Sequence, residues 1–223
     1  MHSKIYWQLC CLLTIILFFQ KAPIGFSQNN LDANLIFLTW HPGGDEMYFL
    51  QPRRLDARAN LVLNYGGVFA YEHFVYKKRL SLKLAQAAYS DCAALFAGHT
   101  HIAFRWNVLS SDRHALRLGF GPTWFYRQSW ERFPGYIQQN PYLKTRGDWQ
   151  YSFVWYGGEI EYDYALTNRW NLGVRIIPGI PSFFTFGVGI RYWLNPVPST
   201  KYWRQHPELK KWFYTQRDLE ELK

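Results

Sequence analysis

Along most of this chain, large apolar or aromatic side chains recur at every second residue, and the residues between them are glycine, alanine or charged. A period of two describes strands with unlike faces and fits no helix. In His114–Ser129, Leu116, Leu118, Phe120, Trp124 and Tyr126 share one face, opposite Arg117, Gly119, Gly121, Thr123 and Arg127. Phe183–Leu194, Trp170–Ile177, Ala97–Val108 and Ala57–Val75 repeat the pattern, and Ala33–Trp40, Ser81–Ser90 and Tyr151–Ala165 repeat it more weakly. Eight strands are therefore predicted; a ten-stranded closure that splits Ala57–Val75 is the alternative. Beyond the N-terminal segment, the longest uncharged run is Ile176–Ile190, which Pro178 and Pro181 interrupt, so no spanning helix is expected there.

Residues 1–27 read as a secretory signal peptide: Lys4 precedes the apolar stretch Leu9–Phe19, and Gly25-Phe26-Ser27 offers small residues for cleavage. An N-terminal membrane anchor is the alternative. Cleavage would remove Cys10 and Cys11 and leave Cys92 alone, so the fold would rest on packing and backbone pairing without a disulfide. It would also lower the formal charge from the +9 of the whole chain by two, through loss of Lys4 and Lys21. A basic exported chain lacking nucleic-acid-binding motifs points to lipid or lipopolysaccharide phosphate as counter-charge, not nucleic acid.

Alternation alone also suits a soluble exported ligand-binding barrel or sandwich. Two features favour a membrane: aromatics gather near strand ends on the apolar face, and full charges mix with glycine on the other. The connections agree. Tight polar turns follow the second, fourth and sixth strands at 76–79, 110–113 and 167–169, whereas His41–Asp56 and Trp130–Trp149 are long. Short turns at one end and long loops at the other describe an up-and-down barrel whose termini lie in the periplasm.

The signal peptide, the alternating strands and a last strand ending Gly189-Ile190-Arg191-Tyr192-Trp193-Leu194 resemble the small outer-membrane β-barrel proteins of Gram-negative bacteria over roughly residues 33–194. The resemblance implies an all-β, antiparallel, up-and-down transmembrane β-barrel of eight strands spanning 28–194, in the outer membrane. It also implies a monomer in contact with outer-membrane lipids and lipopolysaccharide, with no cofactor and a non-enzymatic structural or surface-interaction role in the envelope. Such barrels often end at the last strand, whereas this chain continues through residues 195–223. There Pro207, Leu209, Trp212, Phe213 and Leu219 predict a short amphipathic periplasmic helix that caps the barrel, lies on the membrane or docks a periplasmic protein.

Three groups of residues carry candidate chemistry. Strand parity turns Arg58, Lys83, Arg105, Arg117, Arg127, Arg175 and Arg191 inward against Glu72, Glu159, Glu161 and Asp163, an ion-pair network with a residual positive charge. His99 and His101 share a face near the outer rim. Asp91 could orient one of them and Ser90 supply a hydroxyl, giving a lipid A-modifying acyl hydrolase or acyltransferase as the alternative function. The histidine–x–serine–asparagine stretch of the deacylases is absent, and two histidines fall short of the three or four ligands of a zinc site. Finally, Trp130, Arg132, Tyr136, Lys144 and Arg146 in the longest loop form a candidate lipopolysaccharide- or glycan-binding surface, or else an ordered loop whose rings sit at the membrane interface.

Overall fold

The computed structural model describes residues 28–77, 79–111, 113–138, 140–179 and 183–195; the expected signal peptide and the expected helix of the tail lie outside the described residues. The strands are β1 (Asn29–Trp40), β2 (Leu61–Tyr76), β3 (Leu80–Ser90), β4 (Phe96–Ser110), β5 (His114–Gln128), β6 (Lys144–Arg146), β7 (Trp149–Ala165), β8 (Trp170–Gly179) and β9 (Phe183–Trp193). Eight of them close an antiparallel up-and-down barrel in the order β1-β2-β3-β4-β5-β7-β8-β9, sealed where β9 returns to β1 from Asn30↔Trp193 to Trp40↔Phe184. The short β6 is an addition within the longest loop, paired to the start of β7. The tight turns 77–79, 111–113 and 166–169 share one end, and the loops 41–60, 91–95 and 129–148 share the other.

Strand boundaries move in two places that matter. β1 begins at Asn29 and carries Asp32 into the lumen. β2 remains one strand, so there is no ten-stranded closure, and it starts at Leu61, so Arg58 is an exposed loop residue and not a lumen charge. Asp56 is the cause. Its carboxylate accepts the backbone N–H groups of Arg58 (3.0 Å), Asn60 (3.0 Å) and Leu61 (2.8 Å), which turns the chain just where the alternating pattern would have continued. Those same bonds, Asn60 and Leu61 foremost, lower the Asp56 pKa to about 2.

A bulge resets the inward face of β7. Gly121 pairs with Gly157 and Thr123 with Val154, so β7 spends one more residue than β5 over that interval. Ser152 and Val154 face in before it; Glu159, Glu161 and Asp163 face in after it. Gly121 is required at this point, because a Cβ there would strike the Ile102 carbonyl of the neighbouring strand.

Burial is inverted relative to a water-soluble protein. Arg105, Arg175, Arg191 and Lys83 are the largest fully buried side chains, whereas Phe69 (72% exposed), Trp155 (73%), Phe120 (65%) and Phe104 (61%) stand on the outside. In water such an exterior would forgo roughly 25 cal/mol for each Å² of apolar surface left wet; against hydrocarbon it loses nothing. Aromatic pairs mark both ends of the apolar band: Trp124–Tyr151 (5.6 Å) and Trp40–Phe184 (5.6 Å) toward the long loops, Trp170–Tyr192 (4.7 Å) toward the turns.

Candidate functional site

The lumen has two storeys. The one nearer the tight turns is ionic, because five strands place a base and the other three place acids at the same level. Glu161 stands at its centre. It lies 2.7 Å from Arg105, 2.7 Å from Arg175 and 3.1 Å from Lys83, and it also pairs with Arg191. Arg105 further approaches Glu72 (3.0 Å) and Glu159 (2.9 Å); only its Nη2, donating to Glu161, is aligned as a hydrogen bond. Lys83 reaches Asp32 (3.4 Å) and Glu159 (3.1 Å), and Asp163 takes Arg117 and Arg191. Glu72 is completed by the Ser81 hydroxyl (2.5 Å) and the Asn30 amide (3.0 Å).

The membership corrects the expected charge balance. Arg58 lies in the β1–β2 loop, and Arg127 stands apart at the long-loop mouth, while Asp32 joins. Lys83, Arg105, Arg117, Arg175 and Arg191 thus face Asp32, Glu72, Glu159, Glu161 and Asp163, so among the described residues the plug is balanced at five against five and carries no residual positive charge. Balance matters here because each uncompensated ion out of water costs several kcal/mol.

Above this plug the lumen opens into a cavity of about 1170 Å³. One side is apolar: Ile36, Val68 and Ala85, with Tyr89 packed against them. The other side is polar: His99 and His101 from β4, Thr123 from β5 and Ser152 from β7. His101 is only 5% exposed, and its Nδ1 lies 2.7 Å from the Thr123 hydroxyl. Its Nε2 has no partner, and neither has the Oγ of the equally buried Ser152. His99 meets the Tyr89 ring edge-on at 6.0 Å.

The residues expected to serve the histidines go elsewhere. Ser90 lies on the opposite face of β3 from the inward Tyr89, and its hydroxyl receives Arg53 at 2.9 Å. Asp91 binds the backbone N–H of Ala93 (3.0 Å) and Leu95 (2.9 Å) and the indole N–H of Trp130 (2.7 Å). Burial raises the Asp91 pKa, and the Trp130 bond opposes that rise. The hydroxyl beside His101 is instead that of Thr123, which parity puts on the right face but which no motif singled out. Among the described residues no three His, Cys, Asp or Glu side chains converge as metal ligands.

The longest loop also folds differently from a flat binding surface. Trp130, 6% exposed, turns inward over the cavity, with the Arg127 guanidinium 4.0 Å from its ring and Tyr136 edge-on at 5.9 Å. Met47 and Ala93 pack under it. Arg132, Lys144 and Arg146 remain exposed. Thr145, between the last two, donates to Glu131 at 2.7 Å, and Arg132 donates to the Ser129 carbonyl at 3.0 Å. Trp130 and Tyr136 thus form a partial lid at the mouth, and the basic residues ring its rim.

Cys92 closes one edge of the mouth, 3.6 Å from His41 Nε2. Burial, then the charges of Asp91 and Asp45, pushes its thiol up to about 12. Since the thiolate is the reactive form, Cys92 is expected to resist iodoacetamide at pH 8 in the folded protein and to be alkylated promptly after unfolding. Mass spectrometry of its peptide reads the difference; rapid alkylation of the folded protein would contradict the packing described.

The fold and lumen define a closed eight-stranded antiparallel barrel, apolar outside and polar within, plugged at one end and hollow at the other. No protein-family model matches the chain, and no curated protein matches it in sequence. Among solved structures it is similar to Ail, the attachment invasion locus protein of Yersinia pestis, crystallised with the heparin analogue sucrose octasulfate. That similarity covers 75% of this chain and 97% of Ail, at 7% identity and a TM-score of 0.41.

Proposed function

We propose that this chain is a non-enzymatic integral outer-membrane β-barrel whose long loops face outward and whose lumen binds a ligand at its outer mouth without conducting. The observation that supports it is the reversal of inside and outside: charged side chains fill the lumen while aromatic rings cover the wall. Only a closed barrel can present such a wall to lipid with its backbone paired. A non-conducting lumen follows from the ionic plug, which fills the narrow bore of an eight-stranded barrel with Arg105, Arg175 and their partners. Surface interaction is supported by the exposed Arg132, Lys144 and Arg146 around the mouth and by lipopolysaccharide phosphate as their natural counter-charge.

The lipid A-modifying alternative keeps His99 and His101 at the cavity but not the Ser90 and Asp91 that were to serve them, so the binding role is preferred. Fractionation with heat-modifiable gel mobility tests the proposal. The protein is expected in the outer membrane, migrating faster unheated than boiled, and in a planar bilayer it should give no stepped conductance. Recovery as a soluble periplasmic protein would overturn the membrane assignment, and regular conductance steps would overturn the plug.

A further inference from the structure

The charges around the cavity are already spent. Among the described residues, carboxylates and guanidinium groups line it only at its two ends. At the floor, Arg175 is held by Glu161 (2.7 Å), and Glu159 by Lys83 (3.1 Å) and Arg105 (2.9 Å). At the mouth, Asp91 accepts from the Trp130 indole, and Arg127 donates to Gln150 Oε1 (2.9 Å) and the Tyr136 hydroxyl (3.2 Å). An ionised ligand in the middle of the bore would give up its water and meet no counter-charge there, which is costly.

Two buried polar atoms stay open between those ends, His101 Nε2 and Ser152 Oγ, each on a residue 5% exposed. Buried polar groups without a partner are rare and costly, so each marks a place where a ligand atom can bond. Their heights differ. His101 stands four residues along β4 from Arg105, which meets Glu161 in the plug. Ser152 stands nine residues along β7 from Glu161, and the bulge takes up one of them. The two are thus separated by about 10 Å along the barrel axis, from 3.3 Å per residue in strands tilted by about 40°. Phe125, two residues beyond Thr123 on β5, and Tyr89, six residues beyond Lys83 on β3, place their rings between those heights. Across the bore lies the apolar side, Ile36, Val68 and Ala85.

Resting on the outer-mouth binding role above, we infer that the cavity takes an uncharged ring compound with a hydroxyl group at each end, one bonded to His101 Nε2 and the other to Ser152 Oγ. Hydroxyls fit because they both donate and accept. When Thr123 accepts from Nδ1–H, Nε2 must accept, and when Thr123 donates to Nδ1, Nε2 must donate; a hydroxyl completes either tautomer. The Ser152 hydroxyl has the same two options. Rings fit because Phe125 and Tyr89 offer aromatic faces and edges at the height between the two bonds, and the flank of the ligand lies against Val68 and Ala85. A cavity of about 1170 Å³ holds such a molecule, and a mostly apolar wall with few polar points is the usual make-up of a small-molecule site. This chemistry is opposite to that of the exposed Arg132, Lys144 and Arg146 at the rim, which suit anions.

The test is photocrosslinking of the full-length protein in nanodiscs with three related ketones, the cross-linked residues being read by mass spectrometry. The first is 4,4′-dihydroxybenzophenone at pH 6, where its phenols are protonated; the second is benzophenone itself; the third is benzophenone-4,4′-dicarboxylate. The diol should label inward-facing Val68, Ala85 or Phe125, and the dicarboxylate should leave them unlabelled. Ser152→Ala should raise the concentration of diol that half-saturates the lumen labels by roughly two- to tenfold, the worth of one hydrogen bond. Val68→Trp or, in a second variant, Ala85→Trp should abolish the lumen labels by filling the bore. Benzophenone, partitioning into the bilayer, should mark outward-facing Phe104 and Phe120 in every variant. Equal lumen labelling by the diol and the dicarboxylate, or no shift with Ser152→Ala, would overturn the ligand class alone. Lumen residues unlabelled by all three ketones would overturn the outer-mouth binding role itself, and absence of the outward labels would overturn the membrane assignment, so the failures are distinguishable.

Discussion

Replacing Glu161 by glutamine should unfold this barrel more readily than any other single neutralisation in the lumen. The substitution keeps the volume and removes one charge from a site where Arg105, Arg175 and Lys83 stand within 3.1 Å and Arg191 is also paired. The remaining lumen then holds five bases against four acids. Removing one partner of a buried pair costs about 3–5 kcal/mol, chiefly because the charge left behind has neither water nor a counter-ion. The expected result is a marked fall in the urea midpoint of the folded, fast-migrating form in detergent.

Two companions sharpen that expectation. Glu131→Gln, on the exposed outer loop, should move the midpoint by less than about 0.5 kcal/mol, as surface changes usually do. The double variant Glu161→Gln with Lys83→Met restores four against four. It should therefore be more stable than the sum of the two single effects implies, since residues of one network do not act additively. Equal midpoints for Glu161→Gln and Glu131→Gln would mean that the lumen is wet enough to screen its charges, and the plug would lose its role as a barrier.

How the network could be read in advance, and where the reading failed, has a single physical origin. A strand's inward face is fixed by parity, so every base assigned to the lumen within an uninterrupted strand core, such as Arg105, Arg117, Arg175 and Arg191, lies there. Parity fails where the strand is interrupted or its end misplaced. Arg58 fell on the wrong side of the Asp56 turn, and Asp32 was missed because β1 begins four residues before its apolar run. The bulge between Gly121 and Thr123 reverses parity in β7, and a pair of glycines is a weak signal for it.

The site was less legible than the fold for a related reason. Ser90 and Asp91 stand at the end of the strand before that of His99, yet a strand sends neighbours to opposite faces and a tight loop turns its acid toward its own backbone. Trp130 likewise sits in a loop that looks exposed in sequence, and only the buried Asp91 carboxylate and the Arg127 guanidinium explain why it turns inward.

Gly189→Val should prevent the barrel from closing. Gly189 pairs with Asn34 on β1 and with Gly173 on β8, so it sits at the seam where the last strand returns to the first. A Cβ at Gly189 would collide with the Ala33 carbonyl and with the Cα and side-chain oxygen of Asn34. Two of those three obstacles are backbone, which cannot swing aside as a flexible side chain does, so the strands themselves would have to separate. Overpacking that a core can absorb costs about 1–3 kcal/mol, and a collision with backbone at a closure seam should exceed that range. Separation of β9 from β1 would expose two unpaired edges, each tolerated poorly in lipid. The expected outcome is loss of the fast-migrating band, with the chain recovered as unfolded or aggregated material. Gly158→Ala serves as the control, because a Cβ there meets only the Pro178 ring, Cγ at 3.8 Å and Cδ at 4.0 Å, ordinary contacts. If Gly189→Val kept the heat-modifiable band while Gly158→Ala lost it, closure would depend on the β7–β8 wall and not on the β1–β9 seam.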